Sequence, residues 1–403
     1  MVSRPDVIVI GAGVVGCSIA FHLADLGARD VLVIDRLGIG NGTSAQSSGI
    51  LRTHYSVPEN VELARRSFAA FEHFAAYVDD PEADAGLVKC GYLIAAPEGP
   101  RLAALRASLD QQQAMGIPLQ RLDAAEAAAR MPLARFDDAA LIGYEPEAGF
   151  ADAYLVASGF ARGARKRGVR FLEGVGVQGL VCNGAQRLGR YGARVTGVET
   201  DRGRFEAGTV IAATNIWTPE LERGTGCVLP VKPERHRVFA FEGPAPYTHA
   251  MPVYKDLATP GMLYCRSYGG RQMLASEGIA GEVLATPEIE QGDIPMDAVI
   301  EVAEQVAWRF PGWEEAGLAA SWTGVYDVTP DWNPVLGPVP GLAGLLLAFG
   351  FSGHGFKLSP AVGRILAQAA LGLPTDVPLA PYALQRFTEG RLLTGRYGAG
   401  AVS

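Results

Sequence analysis

The chain has 403 residues, 48% of them hydrophobic and 19% charged, with a net charge of −8. That length suggests about two domains, and the composition is that of an ordinary globular protein rather than a disordered or fibrous one. The negative charge argues against a nucleic-acid partner or an anionic membrane surface, because phosphate binding needs a basic footprint.

Residues 6–36 (DVIVIGAGVVGCSIAFHLADLGARDVLVIDR) read as one β-α-β unit. Residues 7–10 are a short apolar run of the kind buried on both faces of a parallel sheet. Gly11, Gly13 and Gly16 follow with G-x-G-x-x-G spacing. The first allows a tight turn, the second a close approach to a pyrophosphate, the third packing of helix on strand. A helix is expected over 14–26, stopped by Gly27, and a second apolar strand over 31–34. That strand ends at Asp35, whose carboxylate can bond the ribose hydroxyls of an adenosine. Strand, glycines, helix, strand and acid in this order point to dinucleotide binding, with Ala12, Val14 and Val15 on the same turn. The unit specifies ADP and leaves NAD and FAD both open.

Residues 38–55 form a small, polar, glycine-rich loop. Its N–H groups and its hydroxyls (Thr43, Ser44, Ser47, Ser48) suit a second stretch along a pyrophosphate or a flavin. Arg52 and His54, at its end, are the first candidates to face a substrate. A long amphipathic helix is expected over 58–78, a strand over 91–96, and helices over 102–115 and 123–130. A helix over 153–167 and a strand over 169–172 repeat the α-then-β pattern of a doubly wound sheet. A hairpin over 193–207 and a buried strand over 209–213 follow. Aromatic-rich strands at 238–241, 262–265 and 272–275 indicate a second, antiparallel sheet, and a helix is expected over 296–310.

Near the end come a strand over 321–326, a Pro/Asp/Asn loop over 327–340 and an apolar strand over 345–349. The last runs into GFSGHGFK (350–357), and Ser359 as N-cap with Pro360 in the first helical position opens a helix to 371. A strand, a glycine-rich turn and a helix N-terminus make an anion-friendly site, here carrying His354 and Lys357.

The five cysteines contain no C-x-x-C, and the six histidines show no ligand spacing, so neither a disulfide framework nor a metal site is expected. No apolar run approaches the roughly 20 residues of a membrane span. An apolar strand starts so soon after Met1 that no signal peptide is expected, which makes a cytoplasmic protein the expectation.

These stretches resemble the D-amino-acid oxidase-like flavoproteins, in the branch holding monomeric sarcosine oxidase, glycine oxidase and the β subunit of heterotetrameric sarcosine oxidase. The resemblance covers nearly the whole chain. It rests on VIVIGAGVVGCSIAFHLA, GTSAQSSGILRTHY and AATNIWTPEL, and most specifically on DVTPDWNPVLGPVPG followed by GFSGHGFKLSPAVG. It implies a mixed α/β chain with a discontinuous, Rossmann-like FAD domain on a parallel sheet (1–85, 147–220 and 325–390). The substrate domain would be built on a large antiparallel sheet (86–146 and 221–324).

The same resemblance implies that Gly11, Gly13, Gly16 and Asp35 hold the ADP half of FAD. Arg36, Thr43, Ser44 and Ser48 would lie along the adenosine and pyrophosphate, and Val177 would meet the adenine through its backbone. Trp217 sits in the family's strand-end motif. Gly353, His354, Gly355, Phe356 and Lys357 would border the flavin pyrimidine ring, where a helix N-terminus favours the anion of the reduced flavin.

The implied activity is oxidation of a small N-methyl, cyclic or D-amino acid, with a hydride or its equivalent passing from the carbon next to nitrogen to flavin N5. A substrate carboxylate needs a cationic clamp, and Arg52 and Lys357 match the positions that hold it in sarcosine oxidase-like enzymes. Tyr264 is the candidate to contact the amine, and His54 or His354 to accept a proton. Arg266 and Glu277, in the same strand region, carry no assigned role.

The chain also departs from the family pattern. Gly324 stands about where monomeric sarcosine oxidases carry a flavin-linking cysteine, so non-covalent FAD is expected. Met273 or Leu274 stands where the oxidases place a lysine that helps reduce O2, which strengthens a dehydrogenase using another electron acceptor. Asn215-Ile216 interrupts the usual Ala-Gly-Ala-Trp, and Gly49 replaces the family's second arginine. Other readings remain: one subunit of a larger electron-transfer complex, a homo-oligomer, a tRNA-modifying enzyme (disfavoured by the acidic charge), or an NAD-dependent dehydrogenase. The last leaves GFSGHGFK unexplained.

Overall fold

The computed structural model describes residues 4–183, 193–246, 249–287, 289 and 292–397. The expectation about a leader bears on residues 1–3, outside that set. Among the described residues, two nine-stranded sheets and a small three-stranded one carry the architecture.

The first sheet is centred on Val7–Ile10, which lies parallel to Thr209–Ala212 on one side and Val31–Asp35 on the other. Arg170–Glu173 and Leu342–Phe349 extend its parallel part. Successive strand residues point to opposite faces, so the VIVI run feeds two cores. Val7 and Val9 pack under the helices Val14–Asp25, Ala153–Lys166 and Gly355–Ala370. Ile8 and Ile10 pack on the other face with Val198, Val210 and Leu345. Each such fully buried aliphatic side chain is worth about 1.5–3 kcal/mol.

The second sheet is antiparallel apart from one parallel pair, Val253–Asp256 with Tyr92–Ala96. Its long strands are Lys232–Glu242 and Gly317–Val328. One face carries Phe239, Phe241, Tyr254 and Met273 and is covered by the Met296–Arg309 helix. The other carries Tyr92, Lys255, Tyr264 and Arg266. Arg266 Nε donates to the Ser48 carbonyl at 2.7 Å, and Val325 N donates to Gln46 Oε1 at 3.1 Å, tying this sheet to the 38–55 loop. The small sheet pairs Gly149–Phe150 with Ile50–Leu51 and Val88–Lys89.

Several elements differ from the sequence expectation. The 58–78 helix is two, Pro58–Glu72 and Phe74–Tyr77, because His73 (φ −126°, ψ 40°) leaves helical geometry. The 327–340 loop contains a strand, Val335–Val339, antiparallel to Leu342–Phe349. Pro338 is tolerated there because this is an edge strand with no further neighbour to receive an N–H bond. The last long helix begins at Gly355 with His354 as its N-cap, so Ser359 is no cap and Pro360 lies inside. The proline leaves the Phe356 carbonyl without its usual donor, a loss offset by burial along nearly the whole first three turns. Among the described residues, no helix is long and apolar enough to cross a membrane.

Candidate functional site

A long cleft opens at the carboxyl ends of the parallel strands. Ligands of open α/β sheets bind there. One end is built by the first β-α-β unit. Gly11 takes φ +104°, and a Cβ on it would sit 2.3 Å from the Ala213 carbonyl oxygen. A Cβ on Gly13 would lie 3.2 Å from Ser44 Oγ, and that hydroxyl accepts from Val14 N at 3.1 Å. The glycines therefore keep open a narrow floor lined by backbone and hydroxyls. Asp35 closes this end: Oδ2 accepts from Ala12 N at 2.6 Å and Oδ1 from Leu37 N and Gly38 N at 2.7 Å. A carboxylate has further acceptor sites for a ribose diol. Arg36 lies over the Trp217 ring (5.2 Å) and pairs with Glu220 at 2.6 Å, spanning the cleft rim beside Val177.

The far end is bordered by Gly324, Val325, Tyr326 and Asp327 on one side and Gly353, Gly355 and Phe356 on the other. Asp327 Oδ2 accepts from Gly350 N at 2.6 Å. Burial pushes this carboxyl up to about 6, against the opposing pull of backbone N–H donors. Gly353 (φ +84°) stands where a Cβ would be 2.5 Å from the Tyr326 ring. A cleft with glycine N–H groups and a carboxylate at one end and a broad backbone-walled space at the other fits an ADP-bearing group whose second half is a ring system.

Of the residues expected at a cofactor, Gly11, Gly13, Val14, Val15, Gly16, Asp35, Arg36, Thr43, Ser44, Ser48, Val177, Trp217, Gly353, Gly355 and Phe356 all line this cleft. Ala12 is buried beside it and contributes its N–H to Asp35. Asn215, the odd residue of the strand-end motif, adopts φ +48° and accepts from Thr43 Oγ1 at 3.1 Å. His354 and Lys357 do not line the cleft. Residues three apart share a helical face, so Gly353 and Phe356 turn toward it while His354 and Lys357 turn to the neighbouring side.

There they meet Arg52. The Arg52 guanidinium stacks over Tyr55 (4.7 Å) and Tyr92 (5.7 Å), and the Tyr55 ring meets His354 edge-on at 5.1 Å. Arg52 is 5% exposed and Lys357 7%. Among the described residues, Arg52 Nη1 and both ring nitrogens of His354 are buried without a hydrogen-bond partner. Burial, with Lys357 and Arg52 close by, holds the His354 imidazole well below its ordinary range and therefore neutral. Burial and Arg52 likewise lower the Lys357 ammonium. Lys357 also sits in the first turn of its helix, the end where the helix dipole disfavours a cation.

His54 behaves differently from the expectation of a proton acceptor. Gln112 Nε2 approaches its Nδ1 at 3.0 Å and the Tyr397 hydroxyl its Nε2 at 2.9 Å, so both ring nitrogens are engaged by the protein. Tyr264 lies on the inner face of the second sheet and interacts with the buried Tyr326 phenol. Arg266 bonds the Ser48 and Ser267 carbonyls and lies over Phe150 (4.2 Å), a brace between layers. Glu277 accepts from Gln305 Nε2 at 3.0 Å, on the outer side.

Two residues that sequence reasoning missed also face Arg52. Glu145 is 3% exposed and accepts from Thr53 N at 2.7 Å and from the Thr53 hydroxyl. Burial pushes its carboxyl up to about 7, against the pull of the Thr53 N–H and of Arg52. Lys255 is 5% exposed, with no partner for Nζ among the described residues. Period-2 alternation in VYKD could have flagged Lys255 and Asp256 as opposite-facing charges, but not which face held the site.

Comparison with known proteins agrees with this geometry. The family described as DAO, FAD dependent oxidoreductase, matches residues 6–369. The FAD-dependent oxidoreductase domain-containing protein 1 of Bos taurus is 27% identical, over 96% of this chain and 85% of its own. The glycine oxidase of Geobacillus kaustophilus (strain HTA426) is 26% identical, over 96% of this chain and 98% of its own. Among solved structures, the L-proline dehydrogenase from P. horikoshii superposes with a TM-score of 0.86 at 25% identity, covering 97% of this chain and 100% of that one.

Proposed function

The chain belongs to the DAO family of FAD-dependent oxidoreductases, enzymes that oxidise amino acids and amines, and we propose that its own substrate is a small N-methyl, cyclic or D-amino acid oxidised at the carbon next to nitrogen. FAD is the cofactor. When bound, it supplies the two-electron acceptor for the hydride, or its equivalent, that leaves that carbon. The lining residues named for the cleft hold it. Gly324 and not a cysteine stands on the cleft wall, which favours non-covalent binding.

The observation that carries the substrate reading is Arg52: a buried guanidinium with an unpartnered Nη1 and no ion-pair partner within 4 Å among the described residues. A buried cation left in this state is costly unless a ligand anion completes it. The substrate carboxylate does so, held by the planar fork of Arg52 with Lys357 as a second charge. The relatives that act on glycine and L-proline by name fit an amino-acid carboxylate. Tyr264 and Tyr326 contact the amine side. His354, kept neutral, accepts a hydrogen bond from the substrate nitrogen, and the positive charge of Arg52 close by favours the neutral amine that loses hydride. His54 is a positioning residue, since both its nitrogens are spoken for.

The test is an anaerobic screen of sarcosine, dimethylglycine, glycine, D- and L-proline, pipecolate and D-amino acids, reading the visible flavin absorbance. One of them should bleach it. Arg52→Met should raise the concentration needed by about 100-fold or more, with flavin content unchanged; equally ready bleaching of that variant refutes the clamp. Admitting air then separates oxidase (rapid recovery) from dehydrogenase (slow recovery). Neither Met273 nor Leu274, both buried in apolar clusters, supplies the lysine expected of an oxidase, which favours the slow outcome.

A further inference from the structure

Lys255 is not needed for a single carboxylate, yet it is buried with no acceptor for its Nζ among the described residues. Its neighbour Asp256 points to the opposite face of the strand, where Arg309 occupies both carboxylate oxygens at 2.8 and 3.2 Å. Asp256 is therefore no counter-ion. Across the sheet, Lys255 is in register with Tyr264 on one side and Ile94 on the other, and its Nζ stands 5.8 Å from the centroid of the Tyr264 ring. Tyr92, two residues before Ile94 and so on the same face, is the ring over which Arg52 lies.

The backbone is shaped around this ammonium. A Cβ at Gly278 would fall 1.6 Å from Nζ, so a larger residue there would displace the Lys255 amine from its present place. The buried Glu145 commits Oε1 to Thr53, and its Oε2 has no hydrogen-bond partner among the described residues. Arg52, Lys255 and Lys357 thus bring three basic groups to one side of the cleft, with no ion pair to any of them within 4 Å among the described residues. A single carboxylate held by Arg52 and Lys357 leaves the Lys255 amine without an acceptor.

Resting on the carboxylate reading above, we infer that Lys255 is a second anion anchor and that the substrate is a dicarboxylic amino acid. Arg52 and Lys357 hold the carboxylate next to the reacting carbon, and Lys255 receives the second one. That second group is carried either on the nitrogen substituent or on the side chain. Lys255 is the specificity-determining residue, and Gly278 positions it. Burial and the neighbouring Arg52 and Arg101 hold the Lys255 ammonium down to about 7, partly countered by Asp256. His54 and His354 also face it, and neither supplies negative charge, while Tyr264 presents its ring. An arriving anion therefore binds with uptake of a proton and is favoured below that point.

The holoenzyme is titrated with carboxylates that carry no amine and so cannot be oxidised, following the flavin absorbance. Propionate, butyrate and pentanoate are compared with malonate, succinate and glutarate. Wild type should bind the best dicarboxylate about 10–100-fold more tightly than its methyl-terminated counterpart. Lys255→Met should erase that preference while leaving monocarboxylate affinity within about 3-fold, and Lys255→Arg should restore part of it. Lys255→Met also removes an unpartnered buried amine, so its melting temperature should equal or exceed that of wild type. Turnover of N-carboxymethylglycine against aspartate then locates the second acid group. Monocarboxylates that bind without any gain from a second carboxylate, or a variant that weakens both classes equally, overturn the inference and leave the clamp standing. If no carboxylate binds, both fall.

Discussion

The Tyr397 hydroxyl meets Nε2 of His54 at 2.9 Å, joining residues 343 positions apart. Gln112 Nε2 takes the other ring nitrogen at 3.0 Å. Arg396 adds two bonds to Ser56, through its N to the hydroxyl at 3.0 Å and through Nη1 to the carbonyl at 3.3 Å. The segment that carries Arg52 is thus pinned by a stretch near the other end of the chain. Burial, with Arg52 beside it, lowers the His54 imidazole to about 3, so it stays neutral and serves as a fixed hydrogen-bonding post.

Tyr397→Phe leaves that buried nitrogen without its partner. It should cost about 1–2 kcal/mol of stability. It should also lower kcat/KM by several-fold, mainly through KM, as Arg52 loosens. The pH profile of kcat/KM should not change, because His54 does not titrate in the working range. Steady-state kinetics across pH and thermal melting check both parts, and a shifted profile would assign His54 to proton transfer.

Gly16→Ala forces a Cβ to within 1.9 Å of the Gly11 carbonyl oxygen, a contact no rotamer can relieve. The turn under the pyrophosphate must shift. The variant should purify with little or no flavin and lose at least about 2 kcal/mol of stability. The ratio of flavin to protein absorbance reads the first outcome and a denaturant melt the second.

Glu145→Gln tests the buried carboxyl. Its folded value near 7 lies above the ordinary 4.5. Between those values the native state holds a proton that the unfolded chain has released, so wild-type stability falls as pH rises through that window. Glutamine keeps the acceptor for Thr53 without the charge. The variant should therefore match wild type at acid pH and exceed it by about 3 kcal/mol above the window. Melting temperature against pH decides it; parallel curves for the two proteins would mean that Glu145 stays ionised in the fold.

Arg309→Met should be the most damaging single change on the outer side of the second sheet. Arg309 is fully buried and pairs with Asp256 and Asp138 at 2.8 Å. Its removal strands the Asp256 carboxylate in the core, at a cost of about 3–5 kcal/mol. Adding Asp256→Asn should recover part of that loss in urea unfolding, since the uncompensated charge is then gone.

The first β-α-β unit was legible because its information is local. An apolar run, three glycines at set spacing and a terminal acid each act on neighbours within a few residues, and the cleft is lined by them as expected. GFSGHGFK was legible as an anion-friendly turn, but its register was not. Pro360 read as a helix start, whereas burial of Phe356, Leu358 and Val362 draws the helix back to Gly355. The helix therefore starts five residues earlier than expected, with His354 as its N-cap and Lys357 in its first turn, both on the side of Arg52.

Lys255, Glu145 and Tyr397 could not be found along the chain, and the reason is physical. Their significance lies in being buried without a partner, or with a partner hundreds of residues away, and neither property is a feature of local sequence. Spacing and residue type alone determined the dinucleotide-binding unit, the parallel sheet around it and the presence of two distant cations, Arg52 and Lys357. Tertiary structure alone decided which charges share a desolvated space. Desolvation depends on every element packed around a group, so it is set only when the sheets and the Gly355–Ala370 helix have come together.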